Sequence, residues 1–109
     1  MPGIEDIDPD DETILVVGSG LKNMRFRVSR FAMRLASPVW KAIFTSAFVD
    51  ATEDEIDLPG DMPDGMRILL LFIHLQFKRL PTEPSLAEIA SLAQLCDQYD
   101  CAAIAEDRV

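Results

Sequence analysis

A serine–proline pair inside an apolar helical pattern constrains this chain more than any other feature. Residues 31–44 read FAMRLASPVWKAIF, with apolar residues at helical spacing on both sides of Ser37-Pro38. In a helix interior a proline removes one hydrogen bond, and its ring clashes with the preceding turn. In the first turn it costs nothing, because its missing N–H would have had no intrahelical partner. Serine immediately before it is a good N-cap. The pair therefore starts a second helix rather than breaking a single one. Ser29 caps a first helix over Phe31–Ala36. Val39, Trp40, Ile43, Phe44, Ala47 and Phe48 make the apolar stripe of the second, with Lys41, Thr45 and Ser46 opposite.

The flanking segments supply a sheet. Thr13–Val17 is a β-branched apolar run, so a strand buried on both faces. Gly18-Ser19-Gly20 and Lys22-Asn23 are turn chemistry. Met24, Phe26 and Val28 alternate with Arg25 and Arg27, which predicts a strand with one wet face and closes a hairpin. After a polar, acidic loop at 49–55, Ile56-Asp57-Leu58 forms a short strand that ends at Pro59-Gly60. Pro63 starts another helix, Asp64–Phe77, apolar nearly all round and so buried in mid-domain. Residues 78–84, with Pro81 and Pro84, are a loop. Ser85 and Glu88 form a capping box for a helix carrying Leu86, Ile89, Ala90, Ala93, Cys96 and Tyr99. A last short helix is expected over 102–108. Residues 1–10, acidic and broken by Pro2, Gly3 and Pro9, read as a flexible lead-in. The order is that of an α+β domain, a small sheet wrapped by helices. The final helix stops without a cap, which suggests a piece of a longer protein.

Charge and composition narrow the function. The chain has 109 residues, one domain's worth, and a net charge of −9, which argues against nucleic-acid or anionic-membrane binding. Its bases gather at Lys22, Arg25, Arg27, Arg30, Arg34 and Lys41, with no acid between them, and read as a band partly neutralised by the domain's own carboxylates. No leader or membrane-length apolar run is present, so a cytoplasmic or nuclear location is expected, with Cys96 and Cys101 as free thiols. His74 is the single histidine and has no nameable partner for acid–base work. Two cysteines five apart make no zinc site. Gly18-Ser19-Gly20 lacks the third glycine of a dinucleotide fingerprint. Neither a catalytic residue, a metal site nor a cofactor is expected. Phe48, at the end of its stripe beside acidic residues, either closes the core or offers a protein-binding anchor.

Six blocks carry a resemblance: ETILVVG, RFRVSR, ASPVWKAIF, EIDLPGD, LLLFIHLQF and LAQLCDQYDC, in that order and spacing. Together they resemble a BTB/POZ domain over about residues 11–105, and the wording HLQF and LCDQYDC looks most like such proteins of filamentous fungi. The resemblance implies a three-stranded sheet flanked by a cluster of helical hairpins, with the domain spanning 11–109. It implies a protein–protein interaction module rather than an enzyme. Such domains self-associate, and many serve as adaptors that recruit a cullin-3 ubiquitin ligase; others are scaffolds or act in transcriptional regulation. The cullin contact of the family is a hydrophobic residue, any residue, then Glu. Phe48, Val49 and Asp50 stand there, with Asp in place of Glu. A charged pair of the family falls on Glu12, where Asp is usual, and Arg30. A homodimer through the first helix is compatible with the resemblance.

Overall fold

The computed structural model describes residues 3–45 and 55–101. Four strands form one sheet: β1 (Ile4–Asp6), β2 (Thr13–Val17), β3 (Met24–Val28) and β4 (Glu55–Leu58), in the order β1-β3-β2-β4. β2 and β3 are the expected antiparallel hairpin, with Leu15 opposite Phe26. β4 lies parallel to β2 on its other side. The helices are α1 (Arg30–Ala36), α2 (Pro38–Thr45), α3 (Pro63–Ile73) and α4 (Leu86–Gln98).

The corner at Ser37-Pro38 separates α1 from α2. Ser37 is buried; its Oγ accepts from the Trp40 N–H at 3.1 Å and donates to the Tyr99 carbonyl. The corner is thus tied to the end of α4. Trp40 is fully buried and stacks on Tyr99 and Phe44, with ring centroids 4.7 and 5.6 Å apart. Tyr99 in turn donates its hydroxyl to buried Asp61, whose other oxygen accepts from Gln98 Nε2 at 3.0 Å. The packing that joins α2, α4 and the approach to α3 therefore combines aromatic contact with the Tyr99–Asp61–Gln98 hydrogen bonds, while the buried Trp40 Nε1–H has no hydrogen-bond partner among the described residues. Each large side chain fully buried there contributes about 1.5–3 kcal/mol.

α3 runs through the middle, as its all-round apolar pattern predicts: Met66, Leu69, Leu70 and Leu71 are fully buried. It crosses α4 at Gly65, which lies against Ser91. At the hairpin turn, Gly18 has φ +89° and packs on Pro63, where a Cβ would come within 2.9 Å of the proline ring.

Two expectations need correction. The sheet has four strands rather than three, because Ile4–Asp6, inside the expected lead-in, pairs in parallel with β3. Ile7 follows it into the core at 1 % exposure. Two of the acids that suggested a solvated tail, Glu5 and Asp6, are ion-pair partners. Asp6 meets Arg27 at 2.8 Å, and Glu5 meets Arg67 at 2.9 Å and also Arg79. The basic band is neutralised partly in this way, with Arg25 also reaching Glu55 at 3.3 Å. Second, α3 stops at Ile73, not Phe77. Leu75 adopts φ +60°, its N–H bonding the Phe72 carbonyl and that of Gln76 the Leu71 carbonyl. This is a Schellman ending with leucine in the place glycine usually takes. Asp100, at φ +55°, ends α4 in the same way. The expected helix over 102–108 lies outside the described residues, as does most of the 49–55 loop.

Candidate interaction surface

The start of α1 is held from three directions. Ser29 Oγ accepts from the Ala32 N–H at 3.1 Å, the N-cap bond expected from sequence. Asp11 reaches across from the N-terminal segment, one carboxylate oxygen accepting from the Arg30 N–H at 3.1 Å and the other from the Thr13 N–H at 3.0 Å. Burial pushes the Asp11 carboxyl up. The Thr13 and Arg30 N–H groups and the Thr13 hydroxyl outweigh it, so the group sits below its ordinary value. From α3, His74 Nε2 accepts from the Ser29 N–H at 2.9 Å, while Nδ1 lies 2.7 Å from the Leu70 carbonyl. Only a neutral imidazole protonated on Nδ1 satisfies both. Burial lowers its affinity for a second proton, against the raising influence of the Leu70 carbonyl, Asp8 and Asp11.

So anchored, α1 turns Met33 into the core and leaves two large apolar side chains in solvent. Phe31 is 63 % and Leu35 73 % exposed. They are four residues apart, on one helical face. Beside them a groove of about 650 Å³ runs between α1, the segment Ile7–Pro9 and the end of α3. Leu75, turned outward by its left-handed backbone, is 73 % exposed on the groove's far wall. Gln76 closes one side by donating to the Ile7 carbonyl at 2.8 Å. Full burial of Phe31, Leu35 and Leu75 by a partner would each contribute about 1.5–3 kcal/mol. An apolar face of this kind on an otherwise charged domain is the mark of a contact surface.

The residues expected to act lie elsewhere or outside view. Phe48, Val49 and Asp50 fall outside the described residues. Glu12 is exposed on the approach to β2. Arg30 donates from Nε to Thr13 Oγ1 and holds its guanidinium 5.6 Å from the centre of the Phe44 ring. In the described region it is Asp11, not singled out from sequence, that bonds the Arg30 backbone. Cys96 and Cys101 are buried small side chains at the end of α4. Burial raises the Cys96 thiol and pushes that of Cys101 up to about 11, so neither is a nucleophile at neutral pH. Among the described residues, no cluster of His, Cys, Asp or Glu is placed to hold a metal, and no helix is long and apolar enough to cross a membrane. Sequence reasoning overlooked Phe31, Leu35 and Leu75 as surface. The one available signal was that Met33 and the Phe31/Leu35 pair fall on opposite sides of a single short helix.

Against known families, the model of the BTB/POZ domain matches residues 11–107. The chain belongs to the BTB/POZ family. No curated protein matches it. The BTB domain is a protein–protein interaction module, and the fold accords with it in its small mixed sheet and four helices. In this BTB domain the groove beside α1 is a concave surface of about 650 Å³ with mainly apolar walls.

Proposed function

We propose that this BTB domain works by self-association through the exposed face of α1, giving a homodimer that presents other segments of its protein in pairs. The single observation that carries the reading is the Phe31–Leu35 face beside the apolar groove. Enclosing such side chains in a second copy removes apolar area from water without any catalytic machinery. The test is sedimentation velocity across about 1–100 µM. A concentration-dependent dimer is expected, and Phe31→Asp should abolish it. A wild-type chain that stays monomeric throughout that range refutes the reading.

A second reading is recruitment of a cullin-3 ubiquitin ligase through Phe48, Val49 and Asp50. It is supported by the position of Phe48-Val49-Asp50 after α2, with a hydrophobic anchor two residues before a carboxylate. In this reading Glu12 and Arg30 stand at the positions of the family's charged pair, with Arg30 Nε bonded to Thr13 Oγ1 rather than to Glu12. The purified N-terminal domain of cullin-3 should bind with a Kd of tens of micromolar or better, and Phe48→Ala should cost about 2 kcal/mol or more. Binding indifferent to that substitution refutes it. Both readings place the protein in the cytoplasm or nucleus with no enzymatic role. The wording HLQF and LCDQYDC supports an origin among filamentous fungi.

A further inference from the structure

The left-handed turn that ends α4 brings the chain's two cysteines together. Asp100 is its left-handed residue, and its N–H bonds the Asp97 carbonyl at 3.3 Å. The next N–H, that of Cys101, bonds the Cys96 carbonyl at 2.6 Å. These are the two nested bonds of a Schellman ending, which sets the residue after the left-handed one against the residue five before it, commonly as an apolar contact. Here both places hold cysteine. Traced through that hydrogen bond with standard bond lengths, the two α-carbons lie no more than about 6.5 Å apart. That is inside the span of about 4.4–6.8 Å that a disulfide bridges. Both thiols are free, and both side chains turn into the core, at 3 % and 2 % exposure. Cys101 Sγ lies 3.6 Å from the carbonyls of Ala36 and of Tyr99, so the pair sits against the α1–α2 corner.

We propose that Cys96 and Cys101 form a reversible disulfide across the end of α4 when a small disulfide such as oxidised glutathione accumulates, and that this bond fastens Tyr99 against the α1–α2 corner. One cysteine gives its proton to solvent and attacks a sulfur of the glutathione disulfide. A mixed disulfide forms and one glutathione thiolate leaves. The second cysteine, likewise deprotonated, attacks the protein sulfur of the mixed disulfide and displaces the second glutathione. Two protein thiols are oxidised, one glutathione disulfide is reduced to two thiols, and those thiols take up the two protons. Burial raises both cysteine thiols, so the closed helix end reacts slowly. The first attack therefore runs when the last turn of α4 opens, and the second when it closes again and restores the contact. The device answers to oxidant and to loosening of the helix end together. The bond restricts the unfolded chain, while the folded chain already holds the two residues in place, so it favours the folded state. Tyr99, between the two cysteines, carries the carbonyl that receives Ser37 Oγ and the ring that stacks on Trp40.

Trp40 is the chain's single tryptophan and stacks on Tyr99, so its fluorescence follows the corner. The full chain is oxidised with glutathione disulfide while unfolded in urea, then refolded. The intrachain bond is verified by the loss of two hydrogens in mass and by failure to take up an alkylating reagent. Urea unfolding without reductant should show the folded state favoured about tenfold over the reduced chain at equal urea. Dithiothreitol should return the protein to the reduced curve. In glutathione buffers without urea, approached from the oxidised and the reduced chain alike, the folded protein should keep the bond at about tenfold less glutathione disulfide than the urea-unfolded chain, since the two measurements close one thermodynamic cycle. Cys96→Ala and Cys101→Ala should each lose the gain. An oxidised chain no more stable than the reduced one overturns the proposal, and so does one that fails to regain the folded Trp40 signal. A bond between copies in place of one within the chain overturns it too, as does a gain that survives in either alanine variant.

Discussion

Gly65→Ala should destabilise this domain even though the same change in an exposed helix strengthens it. In a solvent-facing helix interior, alanine is better than glycine by about 1 kcal/mol. At Gly65 the added Cβ would lie 2.1 Å from Ser91 Oγ, 2.7 Å from Ser91 Cβ and 2.8 Å from the Leu92 backbone N. The hydroxyl can rotate away. The other two atoms cannot, because they are part of the frame of α4. Restoring carbon contacts of about 3.5–4.0 Å requires the two helices to part by roughly 1 Å. Forcing extra methylenes into a packed core costs about 1–3 kcal/mol. The glycine sits in the first turn of α3, where the propensity gain is smaller than in the interior, so the net loss should be about 1–2 kcal/mol. Urea denaturation of wild type and variant, read as a shift in midpoint at constant slope, measures it. Ser91→Gly on the Gly65→Ala background removes two of the three clashes and should recover part of the loss. Ser91→Ala leaves its Cβ in place and should recover little beyond what it does alone. A Gly65→Ala protein as stable as wild type, or more so, would refute the claim that backbone proximity at this crossing demands glycine.

Tyr99→Phe should cost about 1–3 kcal/mol, since it leaves one oxygen of buried Asp61 without its donor; loss of stability under about 0.5 kcal/mol in thermal or urea melts would contradict the network. His74 should make stability fall with acid. Its folded affinity for a proton is lowered from the ordinary 6.5, so the unfolded chain takes up the proton first as pH drops. The contribution is fully present above about pH 6.5 and is lost as pH falls through the lower folded value. Because this is the chain's single histidine, the slope between about pH 6.5 and 5 should vanish in His74→Asn, measured by urea midpoints in a pH series.

The helical corner, the hairpin and the buried α3 were legible because each is written in local chemistry. Ser37-Pro38 states a cap and a first turn, Arg25 and Arg27 alternate with apolar residues, and Ser85 with Glu88 forms the full capping box. Three things were not legible, because no local sequence preference states them. Glu5 and Asp6 look like a solvated tail until Arg67, Arg79 and Arg27 stand beside them. The early stop of α3 depends on a left-handed leucine, which no local preference announces. Phe31 and Leu35 look like core in a linear pattern, since only the packing of Met33 shows which side of α1 faces in.

The parallel strand at the edge of the sheet bears on where this domain begins. The family match starts at residue 11, yet Ile7 sits in the core, and its carbonyl and that of Asp6 receive Gln76 and Arg79. A protein trimmed to the matched segment would lose more than an accessory arm. It would bare the flank of β3 and strip Arg27, Arg67 and Arg79 of their counter-charges. It would also remove the near wall of the groove, so a failure of such a shortened chain to dimerise would say nothing about α1.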